Sequence, residues 1–408
     1  VSGAGPDLEA VRAAAEAAAR NAYGRLLAYL AATTRNIASA EDALSDAFAS
    51  ALATWPSSGI PDKPEAWLLV AAKRRFLDRV RHARVRNAAE PTLALMADDI
   101  AETAEFPDAR LKLMFVCAHP AIDEAARTPL MLQTVLGLDA ARIASAFLVA
   151  PAAMSQRLVR AKTKIKDSGI AFAVPDAAEL GPRLDSVLAA IYAAFTCGWD
   201  DLAEDANTAL DIEAIWLGQV LASLLPLEAE VHGLLALMRY CHARRHARRD
   251  ATGAFVPLDA QNTQLWDRQE IARAEETLQR AARLQRPGRY QLEAAIQSVH
   301  AARAASGRTE WAALSLLYAA LAELAPTLGV RVGQAAVEAR VQGPDAGLQL
   351  LDLLPDDEKH NYQPYWAVRA HLLRDAGETS GAREAFGRAM GLSDDAAVRA
   401  YLGAQLEA

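Results

Sequence analysis

Cysteine is scarce in this chain: three in 408 residues, Cys117, Cys197 and Cys241, far apart and in no CxxC pair. That spacing excludes a disulfide framework and fits a reducing, cytoplasmic compartment. Aromatic residues are also few, at 6%, and β-branched clusters are rare, which argues against sheets. No apolar run reaches the length of a membrane span. The longest, AALSLLYAALAELAPTLGV at 312–330, is broken by Glu323 and Pro326. Nor is there a Gly-rich phosphate loop, a GxSxG elbow or an HExxH pair, so no catalytic residue, cofactor or enzyme activity is expected. The opening VSGAGPDLEA has no basic-then-apolar signal pattern.

What remains is Ala-rich and helical. Apolar residues make up 52% and charged residues 23%, a globular balance in a chain too long for one core. The expected class is all-α and multidomain. The formal net charge of -8 conceals a partition. Residues 1–170 carry a slight basic excess, whereas 171–408 hold 22 Lys and Arg against 32 Asp and Glu. The early basic residues are bunched in KRRFLDRVRHARVR at 73–86 and PAAMSQRLVRAKTKIK at 151–166. Between them lies the acidic, Pro-bounded DDIAETAEFPD at 98–108. Two basic patches joined by an acidic tether suggest two separate contacts with nucleic acid.

The second patch has a specific context. DAARIASAF opens on Asp139, a good N-cap; LVAP is a turn, and a helix begins at Pro151. A short helix, a tight turn and a second helix with small residues in its first turn is helix-turn-helix spacing. Met154, Leu158, Ala161 and Ile165 share one face and should pack on Ile143, Ala144 and Phe147. Ala153 and Ser155 would let the helix end approach base edges. Gln156 and Arg157 carry the donors and acceptors that read adenine and guanine, and Arg160, Lys162 and Lys164 suit phosphates.

On these residues the chain resembles an RNA polymerase sigma factor of the extracytoplasmic-function type, in the subgroup with a long helical C-terminal extension. AEDALSDAFASALATWP followed by GIPDKPEAWLLVAAKRRFLDRVR is similar to sigma region 2, and LKLMFVCAHPAI through LGLDAARIASAFLVAPAAMSQRLVRAKTKIKDSGI to region 4. The resemblance implies core RNA polymerase and promoter DNA as partners. Polymerase docking would fall to Glu41, Asp42, Asp46 and Phe48, and the start-proximal promoter element to Lys73, Arg74, Arg75, Arg79 and Arg81. Region 4 would read the upstream element through α-helical residues 153–164. The implied domains are 1–87, a linker at 88–108, 109–170 and a regulatory extension at 171–408.

That extension reads as helical hairpins, tetratricopeptide-like at its end, where Gly377 marks a turn and Ala382, Phe386 and Ala389 share a face. A protein or peptide ligand is expected for it. YCHARRHARRD places Cys241, His242 and His246 near one another, but four arginines oppose a cation, so a solvated basic helix end is expected and no metal site. Two alternatives stand beside the sigma factor: a helical scaffold for protein partners, and a stand-alone helix-turn-helix regulator. The region 2-like segment at 40–81 separates sigma factor from regulator.

Overall fold

The computed structural model describes residues 8–86, 108–147, 149–200 and 210–407. All but the last residue of the acidic linker at 88–108 therefore lies outside the described residues. Among those described there are nineteen α-helices, no β-strand, and no helix long and apolar enough to cross a membrane. The class is all-α, and contacts divide the chain into two units, 1–217 and 218–408.

The first unit begins with α1 (Leu8–Thr34), α2 (Ile37–Ser58) and α3 (Pro64–Arg86). Arg35 turns the chain between α1 and α2 in the left-handed region, at φ 54°. Asn36 then caps α2 by accepting from the Ser39 amide at 3.1 Å. Ile37, Ala40, Leu44, Ala47, Ala51 and Trp55 recur at helical spacing and are buried against α1 and α3. Trp55 is fully buried and meets Trp67 of α3 edge-on, with ring centroids 5.5 Å apart. Next come α4 (Arg110–Cys117), α5 (Glu124–Leu136), α6 (Ala140–Ala146) and α7 (Pro151–Asp167). Following them, α8 (Ala177–Asp200) packs on α4 and α5, where Arg183 donates to the Phe115 carbonyl at 2.9 Å. The sequence boundary at 171 thus falls ahead of a helix that packs with α4 and α5. α9 (Leu210–Leu224) runs across the division between the units.

The second unit is a succession of helices, each packed on the next: α10 (Ala229–Ala243), α11 (Arg268–Arg283), α12 (Arg289–Ser306), α13 (Trp311–Leu324) and α14 (Leu328–Gln342). It continues through α15 (Pro344–Asp352), the short α16 (Asp356–Lys359), α17 (Gln363–Asp375), α18 (Thr379–Gly391) and α19 (Ala396–Glu407). Gly343 and Gly377, both at positive φ, make the tight turns between α14 and α15 and between α17 and α18. Ala382, Phe386 and Ala389 of α18 are buried with Ala370 and Leu402, so the face read from the sequence is a packed one.

One connection departs from this scheme. Between α10 and α11, residues 244–267 leave the array as a strap with three 3-10 turns. Its ends meet where the Asp267 amide donates to the Ala243 carbonyl at 2.8 Å. The expectation of a solvated basic helix end is corrected here. Arg244 is buried and donates to Gln297 of α12, and Arg249 pairs with Asp395 at the start of α19. These arginines are the strap's attachments to the array rather than a hydrated face.

Candidate functional site

The helix-turn-helix is assembled from local signals. Asp139 caps α6 by accepting from the amides of Ala141 (2.9 Å) and Arg142 (2.8 Å). The turn closes with the Val149 amide donating to the Ala144 carbonyl at 3.0 Å, and Pro151 starts α7. Met154, Leu158, Ala161 and Ile165 form the buried seam of α7, and Ile143 and Ala144 of α6 are buried as well. Ala153, Ser155, Gln156, Arg160 and Lys164 are exposed on the other side. Arg157 is half-buried, and its guanidinium leans toward the Ala125 carbonyl at the start of α5, 3.4 Å away.

Lys162 has a different position. It reaches α2 and pairs with Glu41 at 2.5 Å, the two side chains only 11% and 16% exposed. A residue expected on phosphate and a residue expected on polymerase neutralise each other in this conformation. Burial pushes the Glu41 carboxyl above the usual carboxylate range, and Lys162 opposes that shift only in part. Glu41 Oε1 is buried without a hydrogen-bond partner among the described residues. Nearby, burial drives the Cys117 thiol up to about 12, and its Sγ lies 3.3 Å from Thr134 Oγ1.

The contact extends beyond this pair. At Gly24 of α1, a Cβ would fall 1.9 Å from the Val135 carbonyl oxygen of α5. At Gly137, which ends α5 in the left-handed region at φ 75°, a Cβ would fall 2.8 Å from the Tyr23 ring. That these two glycines meet Val135 and Tyr23 was not read from the sequence. The only local signal was a glycine inside a helical run at 24.

On α3 the expected DNA-facing residues divide. Arg74 is exposed. Lys73 lies over the Tyr29 ring at 4.9 Å and is half-buried, which lowers its pKa. Arg75 donates to Ser50 Oγ at 3.1 Å, and Arg79 pairs with Asp46 at 2.6 Å and Asp42 at 3.2 Å. The Arg81 side chain lies outside the described residues. Phe48 is half-buried on α2. Asp42 and Asp46, expected to meet polymerase, therefore hold Arg79, expected to meet DNA. These pairs are solvent-exposed, so each contributes ~0–1 kcal/mol and exchanges readily for a phosphate or another partner. Among the described residues, no group of three or more His, Cys, Asp or Glu is placed to hold a metal.

A glutamate with a raised pKa makes the α2–α7 contact pH-dependent. The protonated form is favoured where the helices are packed, so its contribution is complete below the pKa of the separated state. It is lost as pH rises through the packed-state value. Melting of Glu41→Gln and the unsubstituted chain should agree most closely at acid pH, with the unsubstituted chain losing ground as pH rises. The opposite slope would mean that Lys162 attraction outweighs burial.

Comparison with known proteins places these helices. The sigma-70 region 2 family matches residues 19–86, which span most of α1 and all of α2 and α3. A family of unknown function (DUF6596) matches residues 183–282. Across 397 residues the chain is 37% identical to "Uncharacterized protein R00370" of Rhizobium meliloti (strain 1021), covering 95% of this chain and 92% of that one. No solved structure matches. With a region 2 built on α1–α3 and similarity along nearly its whole length to R00370, the chain belongs to the same family as that protein and is a sigma factor.

Proposed function

We propose that this sigma factor is of the extracytoplasmic-function type and brings core RNA polymerase to a restricted set of promoters in the cytoplasm. In this reading α2 docks on polymerase through Glu41, Asp42, Asp46 and Phe48. The basic half of α3 meets the start-proximal element, and α7 reads the upstream element. The observation that carries it is α7 itself: a buried apolar seam under an exposed row of Ala153, Ser155, Gln156, Arg160 and Lys164, preceded by a capped short helix and a tight turn. The second unit, a tetratricopeptide-like array, is the regulator, receiving a protein or peptide signal. The acidic excess of residues 171–408 as a whole disfavours contact of this extension with DNA.

Co-purification with core polymerase, followed by run-off transcription on the DNA upstream of the protein's own gene, tests the reading. Absence of polymerase association would overturn it. Within α7 the two kinds of contact separate by salt and sequence. Arg157→Ala should cost roughly 1–3 kcal/mol on the cognate promoter and relax sequence preference. Lys164→Ala should weaken cognate and random DNA equally and reduce the salt slope by about one ion. Identical behaviour of both variants on both DNAs would remove the recognition role from α7.

A further inference from the structure

The strap at 244–267 does not lie idle on the surface. Arg303 of α12 donates to three of its carbonyls, those of Leu258 (2.8 Å), Asp259 (2.8 Å) and Gln261 (3.2 Å). The same guanidinium stacks on Trp266 with 5.1 Å to the ring centre. Arg340 of α14 holds the Asp259 carboxylate at 2.9 Å while lying over Trp311 of α13. Farther along, Phe255 packs edge-on against Tyr401 of α19. Two cavities flank the segment, of about 490 and 240 Å³. Both are lined by Asp259, Ala336 and Arg340, so the Asp259–Arg340 pair is the partition between them. The larger one continues to His371 and Leu372 of α17 and to Tyr401.

Helices α12, α14 and α19 thus turn side chains toward a single segment of the same chain, residues 254–262, whose one acid is Asp259, and α17 lines the adjoining cavity. Everything that holds this peptide is a generic peptide contact: arginine to backbone carbonyl, arginine to carboxylate, and aliphatic or aromatic packing beside them. None of it requires a covalent connection to α10 and α11, and the strap's ends already meet at Ala243 and Asp267.

We propose that residues 254–262, AFVPLDAQN, are an internal occupant of a peptide groove in the second unit. The groove's external partner is a protein segment of the same chemistry, an aliphatic residue followed by an acid, which displaces the strap from Arg303 and Arg340. The inference rests on the reading of this unit as a receiver of a protein signal. The clasps differ in strength. The Asp259–Arg340 pair is more than half exposed on both sides and exchanges easily. Arg303 is the firmer hold because it is half-buried and charge-assisted at three oxygens. An intramolecular occupant acts at an effective concentration on the order of millimolar, so the resting groove is filled and answers only to a partner that binds more tightly.

The probe is a fluorescently labelled synthetic peptide, AFVPLDAQN. The host is the full chain with residues 254–262 replaced by a Gly-Ser segment of equal length. The peptide should bind this host saturably, and at least about tenfold more weakly to the unsubstituted chain, whose groove is occupied. Changing the peptide's aspartate to asparagine, or Arg303→Ala in the host, should each reduce binding several-fold. A folded host that ignores the peptide, or one that binds a scrambled peptide equally, overturns the proposal. Should the host lose its helical signal, the full chain carrying Asp259→Asn alone replaces it. Greater peptide binding than the unsubstituted chain supports the groove, and equal binding overturns it. Peptide binding is read without polymerase, so its failure leaves transcriptional regulation by this unit standing. Loss of that regulation alone would leave the groove intact.

Discussion

Gly24→Leu is expected to part the α4–α7 module from α1–α3. A Cβ at this position meets the Val135 carbonyl oxygen at 1.9 Å and the carbonyl carbon at 2.8 Å. Both are backbone atoms in the last turn of α5, so no side-chain rotation relieves the clash. Ordinary overpacking costs about 1–3 kcal/mol because neighbours adjust; here two helix backbones must separate, and the cost lies at or above that range. The Glu41–Lys162 pair, reached across the same junction, would go with it. Cys117 supplies the readout, since its thiol is fully buried and its pKa is driven up to about 12. Mass-resolved alkylation of Cys117 should accelerate by an order of magnitude or more in Gly24→Leu, whereas Cys241, in the second unit, keeps its rate. Unchanged Cys117 labelling would show that the junction absorbs a side chain and does not hold the modules. A separated molecule also has Glu41 and Lys162 free, and its affinity for polymerase should rise if their pairing restrains docking.

The second large effect is Leu158→Asp. Leu158 lies at the centre of the α7 seam with 2% exposure, flanked by Met154, Ala161 and Ile165. A carboxylate there has no cation to pair with inside the seam, and an uncompensated buried charge costs about 3–5 kcal/mol. That is a large part of the stability of a small helical module. α7 should detach and promoter-specific transcription should fall to background. Polymerase association should survive, because Trp55 and its neighbours are buried among α1, α2 and α3 rather than in the α7 seam. Loss of both activities together would mean that region 2 depends on α7 for its fold. Retention of specific transcription would place upstream recognition elsewhere in the chain.

The architecture of α7 was legible in the sequence because its determinants are local. A cap at Asp139, a proline at 151 and apolar residues spaced four, three and four apart specify a helix and its buried face without reference to the rest of the chain. The same holds for α2, where the stripe ending at Trp55 needs only helical periodicity. The partners of charged side chains were not legible. Arg79 was read by its membership in a basic run, yet its position is decided by Asp42 and Asp46 on a neighbouring helix. Lys162 finds Glu41 at a sequence separation of 121 residues, and no local pattern encodes that distance. The α1–α5 junction was hidden for the same reason, since one carbonyl approaching one glycine leaves no period. In the strap, a run of arginines looked like a hydrated helix end. The carbonyls and carboxylates that engage it come from elements far along the chain.

That strap also alters how the second unit should come apart. An array in which each helix touches only its neighbours unfolds piecemeal, because each repeat carries its own stability and one interface. Here Arg249 reaches Asp395 across 146 residues, and Asp259 reaches Arg340 across 81. These links join the first and last hairpins in a closed circuit, so fraying at α19 is felt at α10. Unfolding of the unit should therefore be more cooperative than that of an open array, since loss of the last helix also releases the strap.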